Sequence, residues 1–310
     1  MSMGHSSLSP IVLFVFDRLE HTMRTIQSLQ NNYLADSSIL YIYSDGPKEN
    51  KNSVFAVQQV RDYILSITGF KKVNIIYNKT NKGLANSIIS GVTDVISKHH
   101  RVIVLEDDIV TAPFFLKYMN DSLNKYCETE KVMSISGGNY PVDLSTVNSE
   151  TFFLRIPLCW GWATWEDRWE KFNRDLSLVN TLSLSEVKYM NFDNSHNFFQ
   201  QAELNLSGRL KTWFIFWYIV AVKQKMLTLF PKEKICMNIG FDGTGQNCQK
   251  SSEFQFEYLT YNNEIILDDI EVEENKQVFF IYKEFFLKIR KNIFKRILRR
   301  GKDILYGAFK

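Results

Sequence analysis

Residues 101–110 (R-V-I-V-L-E-D-D-I-V) restrict the fold more than any other part of the chain. An uninterrupted apolar run, 102–105, ends in three adjacent carboxylates, Glu106, Asp107 and Asp108. A continuous β-branched run is the pattern of a strand buried on both faces, as in a parallel sheet. Three like charges at its end repel one another and gain nothing from packing. Open α/β sheets bind ligands outside the carboxyl ends of their strands. Carboxylates placed there can hold a hard divalent cation, with its other positions going to water and substrate phosphates. Taken alone, such a triplet reads as a solvated acidic turn, so the rest of the chain has to decide.

Three similar units precede it. Residues 10–16 (P-I-V-L-F-V-F) read as a strand ending in Asp17-Arg18, followed by a helix over about 20–30. Residues 39–43 form a second strand ending in S-D-G-P-K, where Asp45-Gly46-Pro47 is turn chemistry. A third strand, 72–77, leads to the loop Asn81-Lys82-Gly83 and an amphipathic helix over 84–96. The alternation of strand and helix predicts right-handed crossovers and an α/β fold with a mostly parallel central sheet flanked by helices. Asp17, Asp45 and the 106–108 triplet would then collect on one edge of that sheet. This convergence favours a ligand crevice over a solvated turn. Asp17 can bond a base or ribose edge and Arg18 can pair with phosphate; a surface ion pair is the plainer alternative. Lys82-Gly83 at a helix entrance suits phosphate, and a simple glycine turn would look the same.

Downstream, Ala112-Pro113-Phe114 starts a helix to about Glu128, and 132–136 is a fifth strand. Residues 152–156 read as a further strand, leading to C-W-G-W-A-T-W-E-D-R-W-E-K-F. Trp165 and Trp169, at i and i+4, predict a helix core. Trp160 and Trp162 precede it and offer either a stacking platform for a sugar ring or more core. The polar stretch 176–210 predicts helices over the active face, 213–222 a buried helix and 227–230 a short strand. In N-I-G-F-D-G-T-G (238–245), three glycines around Asp242 make a loop able to fold over a phosphate or sugar; it matches no Walker or dinucleotide fingerprint.

Charge is divided along the chain. Residues 281–310 hold ten Lys/Arg and two acids, whereas 1–280 hold 27 and 32. Phe285, Ile289, Ile293 and Ile297 recur at steps of four in the tail, among Lys288, Lys291, Lys295, Arg296, Arg299 and Arg300. This pattern predicts a basic amphipathic helix suited to an anionic membrane surface, or one docked on the body with its basic face outward. With the basic charge confined to the tail, nucleic-acid binding is not expected. The four cysteines form no C-x-x-C and the histidines lack zinc spacing, so free thiols are expected. No signal peptide or spanning segment is expected, and the predicted location is the cytoplasm, peripheral to the inner face of the membrane through the tail. The expected organisation is a body over 1–250 (halves about 10–140 and 141–250), a connecting segment over 251–280 and a helical tail over 281–310.

With these residues laid out, the chain resembles the bacterial GT-A fold glycosyltransferases distantly similar to N-acetylglucosaminyltransferase I. The likeness runs from about Pro10 to Cys248 and rests on six motifs in order: P-I-V-L-F-V-F-D-R, S-D-G-P-K, N-K-G-L-A-N-S-I, V-L-E-D-D, W-G-W-A-T-W-E-D-R-W and N-I-G-F-D-G-T-G. The resemblance implies that 106–108 is the D-x-D-like motif. Asp108 would ligate Mn2+ or Mg2+, and Asp107 would lie by the ribose or sugar. Asp17, Arg18 and Asp45 would line the nucleotide, with Glu106 and Lys82 beside it. The implied reaction is inverting sugar transfer from a nucleotide diphosphate donor, UDP-sugar favoured, to a glycan or lipid-linked acceptor in surface polysaccharide synthesis.

The chain departs from that pattern in places. Leu19 stands where relatives often have Pro, and Gln246-Asn247 where many have T-H. Lys211-Thr212 precede Trp213 where an acid is common, and Phe216 replaces an Arg or Gln. Inversion requires a base to deprotonate the acceptor and a means of holding the departing diphosphate. Asp242 is the expected base, with Glu166 and Asp167 in reserve. Two other readings compete. A sugar-1-phosphate nucleotidyltransferase would need a Gly-rich basic loop at 17–20, which is absent. A non-catalytic nucleotide-sugar or glycan binding protein at the membrane surface is motivated by Lys211, Phe216 and Asn247.

Overall fold

The computed structural model describes residues 8–243, 259 and 261–307, with helix side chains described as far as residue 291. The first four strands are β1 (Ile11–Val15), β2 (Ile39–Ser44), β3 (Lys72–Tyr77) and β4 (Arg101–Glu106). Helices α1 (Leu19–Gln30), α2 (Lys51–Ile64) and α3 (Leu84–His99) connect them. All four strands are parallel, in the spatial order β3-β2-β1-β4. The apolar runs explain this: every residue of β1 is buried, and so is 102–105 of β4, which only a sheet covered on both faces allows. Gly91 lets α3 lie close, since a Cβ there would fall 2.6 Å from the Phe14 ring.

Register fixes the rim. Phe14 is opposite Glu106, and Val15 is opposite Ser44. Asp17, Asp45 and the 106–108 triplet therefore leave the sheet at one edge, as the alternation predicts.

Beyond β4 the sheet continues as β8 (Trp162–Trp165), β6 (Val132–Ser136), β9 (Leu227–Pro231) and β7 (Thr151–Leu154), completing eight strands. Strand β8 is antiparallel to both β4 and β6, and β6 is parallel to β9. Hence β6 and β9 run in the same direction as β4, and their carboxyl ends lie on the same rim. A separate two-stranded ribbon pairs β5 (Ile109–Thr111) with β10 (Cys236–Asn238).

Strand β8 corrects one expectation. The predicted tryptophan helix contracts to α5 (Glu166–Trp169), because the segment before it fills the gap between β4 and β6. Alternate residues of a strand face opposite ways. Trp162 stacks on Trp213 with centroids 5.2 Å apart and also meets Trp169 and Trp217. Trp165 turns to the other face, where its Nε1 donates to the Leu123 carbonyl in α4 (Phe115–Lys125).

Helices α6 (Leu184–Met190), α7 (Phe199–Leu206) and the apolar α8 (Phe214–Gln224) pack together. A capping box of Ser183 and Glu186 starts α6. Helix α9 (Lys276–Gly307) begins five residues before the expected tail. Val278, Phe279, Tyr282, Phe286 and Ile289 are buried in the body, while Lys288, Arg290 and Lys291 are exposed. Over its first half, then, the apolar face is taken up by the protein itself, which is the docked alternative of the two expected. No helix among the described residues is long and apolar enough to cross a membrane.

Candidate functional site

The rim at β1 and β4 is a corner of like charges around one guanidinium. Arg18, at the entrance to α1, donates from Nη2 to Asp108 Oδ2 at 2.8 Å and pairs with Asp107. The helix is fastened so that Arg18 reaches them. Thr25 Oγ1 donates to the Asp107 carbonyl at 2.8 Å, Thr111 N donates to Ser28 Oγ at 3.0 Å, and Asn32 Nδ2 donates to Thr111 Oγ1 at 2.9 Å. Burial raises Glu106 well above the ordinary carboxylate range, and the charges of Asp108 and Asp107 raise it further. Burial likewise raises Asp107, with Arg18 opposing and the charges of Asp108 and Asp17 adding to the rise. Burial raises Asp17 too, against the pull of Lys48 and Arg18. For Arg18 burial acts downward, but the two aspartates outweigh it and the guanidinium stays firmly charged.

The corner is thus short of positive charge. Asp108 is buried, and its Oδ1 has no hydrogen-bond partner among the described residues; neither has Arg18 Nη1. An unpaired buried carboxylate oxygen is costly. No three His, Cys, Asp or Glu side chains group to hold a metal among the described residues. The donor set fits a divalent cation held through one or two carboxylates, with water and substrate phosphate completing the shell.

The β5–β10 ribbon sets the other wall. Ile239 N donates to the Asp108 carbonyl at 2.8 Å, and Asn238 Oδ1 accepts from Gly240 N at 2.7 Å. Gly240 lies so close that a Cβ would fall 2.2 Å from Asp108 Oδ2. The next turn, 240–242, brings Asp242 Oδ2 to 3.2 Å from His21 Nε2. Asp242 therefore stands beside the first turn of α1, one turn from Arg18. Residues 244–248, which include the end of the expected loop, Gln246 and Asn247 after it, and Cys248, lie outside the described residues.

Asp45 sits on the rim but is already engaged. Its Oδ1 accepts from Gly46 N, Asn78 Nδ2 and Lys82 N, and its Oδ2 accepts from Gly83 N at 3.0 Å. The backbone N–H groups at the entrance to α3, expected to meet a phosphate, bind this internal carboxylate instead. A short carboxylate just after β2 meets them from within the chain. Of Lys82, only the exposed side chain remains for a ligand.

Four expectations are corrected. Glu166 N donates to the His100 carbonyl, and Arg101 is opposite Trp165. Glu166 and Asp167 therefore lie at the amino end of β4, roughly 20 Å from the acid corner at about 3.3 Å per residue. There Glu166 pairs with His100 and Asp167 with Arg168, so neither serves as a reserve base. Trp162 is core. Trp160 is buried edge-on between Tyr140 and Phe241, so neither indole offers an open face to a sugar.

Other contributors escape a linear reading. Lys48 lies 5.4 Å from the Phe16 ring and bears on Asp17. Arg61 ties the ends of β2 and β3 together through Ser44 Oγ, the Asp45 carbonyl and the Asn78 carbonyl. His21, three positions after Arg18, and Asn238, just before the glycine loop, carried the only local signal.

No protein-family model matches the chain, and no curated protein matches it.

Proposed function

We propose that the chain is a metal-dependent glycosyltransferase that binds a nucleotide diphosphate sugar, UDP-sugar favoured, at the rim of β1, β2 and β4. The reading rests on one observation above the others: a buried Asp108 with one oxygen on Arg18 and the other without a partner among the described residues. A diphosphate cannot approach Asp17, Glu106, Asp107 and Asp108 on charge grounds unless a cation comes with it. Bound Mn2+ or Mg2+ would supply that charge and stabilise the departing diphosphate. The GT-A resemblance supports the same reading.

The residues divide the work. Asp108 would hold the cation, and Asp107 would orient ribose or sugar. Arg18, a fork-shaped donor, exchanges a carboxylate for a phosphate oxygen when the donor binds. Asp17 faces the base or ribose, with Lys48 behind it. Asp242 accepts the proton of the acceptor hydroxyl, and His21 at 3.2 Å orients it. Attack from the face opposite the diphosphate inverts the anomeric centre. The acceptor is a glycan or lipid-linked glycan of surface polysaccharide synthesis, and the exposed cations of α9 direct the protein to an anionic membrane.

The test is a UDP-sugar panel with Mn2+, followed by release of UDP. Asp108→Ala is expected to abolish release, and full turnover in EDTA would refute the reading. A non-catalytic nucleotide-sugar binding protein is the second reading, favoured by the lack of three grouped ligand side chains among the described residues. Stabilisation by UDP-sugar without UDP release would select it.

A further inference from the structure

A second polar cleft opens on the same rim. It has a volume of about 560 Å3 and lies between the segment after β6 (Pro141, Val142, Asp143, Leu144, Ser145), the segment after β9 (Lys232, Glu233, Lys234) and Tyr261. Because β6 and β9 run parallel to β4, this cleft faces the same way as the acid corner. It stands two to three strand positions along the sheet, roughly 10–15 Å at about 4.8 Å per strand.

The walls are built, not loose. Asn139 Nδ2 donates to the Pro231 carbonyl, tying one wall to the other, and Asn139 Oδ1 accepts from the Tyr282 hydroxyl at 2.8 Å. Tyr140 packs on Tyr282, Phe285 and Phe286 of α9, and Gln277 Nε2 donates to the Thr146 carbonyl. Leu144 and Val147 are buried beneath. The second wall continues directly to the acid corner. Ala112 N donates to the Ile235 carbonyl, β10 pairs with β5, and Ile239 N reaches the Asp108 carbonyl.

The lining suits one class of ligand. Two carboxylates, Asp143 and Glu233, are matched by two ammonium groups, Lys232 and Lys234, so the cleft carries no net charge to select an ion. It alternates acceptors and donors beside a half-buried phenol ring. That is the chemistry of a sugar, which presents many hydroxyls and an apolar C–H face.

We infer that this cleft, and not the tryptophan segment, binds the neutral sugar chain of the acceptor, with Asp143, Lys234 and Tyr261 as its main contacts. The inference rests on the transferase reading. It adds that the acceptor is an oligosaccharide, since its reacting end must reach Asp242 while its distal residues occupy the cleft.

The test uses the full chain, fluorescently labelled, on a printed panel of neutral and acidic oligosaccharides. Stabilisation by UDP with Mn2+ is measured separately. Wild type is expected to be retained by neutral oligosaccharides. Tyr261→Ala and Lys234→Ala are expected to weaken retention at least tenfold while the UDP response stays unchanged. Asp143→Asn, which keeps the oxygen bonded to Ser145 N, serves as a milder variant and is expected to weaken it less. No retention of any neutral oligosaccharide, retention of acidic ones only, or variants that bind like wild type would overturn the inference. Retention that maps to the cleft without any UDP response would uphold the cleft and remove the donor reading.

Discussion

Arg18 Nη2 stands 2.8 Å from Asp108 Oδ2 while the same guanidinium also pairs with Asp107, so one cation at the entrance to α1 serves two carboxylates at the end of β4. Both aspartates are buried and Arg18 is largely so. Removing one partner of such a pair leaves charge uncompensated. Arg18→Ala is expected to lower stability by about 3 kcal/mol in metal-free buffer, with Mn2+ restoring more of the melting temperature than in wild type. A neutral outcome in thermal unfolding would mean that the corner is wetter than its geometry implies.

Gly240 is a close-approach glycine against the Asp108 carboxylate. Gly240→Ala places a methyl 2.2 Å from Oδ2. The expected cost is about 1–3 kcal/mol, together with loss of stabilisation by UDP and Mn2+. Calorimetric titration of the variant checks the second effect independently of the first.

Asp45 is expected to act in folding more than in binding. Asp45→Ala orphans the N–H groups of Lys82 and Gly83 and the amide of Asn78. A loss of about 2–3 kcal/mol in urea unfolding is expected. Lys82→Ala, at an exposed side chain, should stay within about 0.5 kcal/mol of wild type, and any effect it has should be on nucleotide affinity.

Asp242→Asn is expected to slow transfer by about 10²–10⁴-fold and to leave UDP binding intact. His21→Ala should slow it less, because His21 acts through Asp242. Steady-state kinetics with separate KM and kcat values distinguishes the two, and an unchanged kcat in Asp242→Asn would remove it as the base.

His196 gives the fold an acid limit. Burial against Phe198 and Phe286, with the Arg290 charge adding, lowers its pKa to about 4. The unfolded chain therefore takes up the proton first as pH falls. The His196 contribution to stability is full above about pH 6.5 and declines towards pH 4, by about 1–3 kcal/mol in all, against the opposite trend of the buried carboxylates Glu106 and Asp107, whose raised pKa values favour the folded state as pH falls. Denaturant titrations of wild type and His196→Phe at pH 7 and pH 4.5 isolate this contribution: the variant should lose less stability on acidification, or gain more, than wild type.

Short-range pattern was enough for half of the molecule. The apolar runs of β1 to β4, each followed by a helix, determine a parallel sheet, and the acids after those runs must then share a rim, since parallel strands end together. The four-residue spacing of Phe285 and Ile289 was likewise legible as helical, and the helix that carries them starts at Lys276. What the runs could not settle was who would meet the exposed or polar atoms. Asp45 took the N–H groups of 82 and 83, Trp162 entered a strand between β4 and β6, and Glu166 and Asp167 fell at the far end of β4. The cleft at 141–145 and 232–234 joins segments about ninety residues apart. Each of these outcomes is a contact between distant segments, and a periodicity of two or four residues records only which way a side chain faces, not which partner waits there.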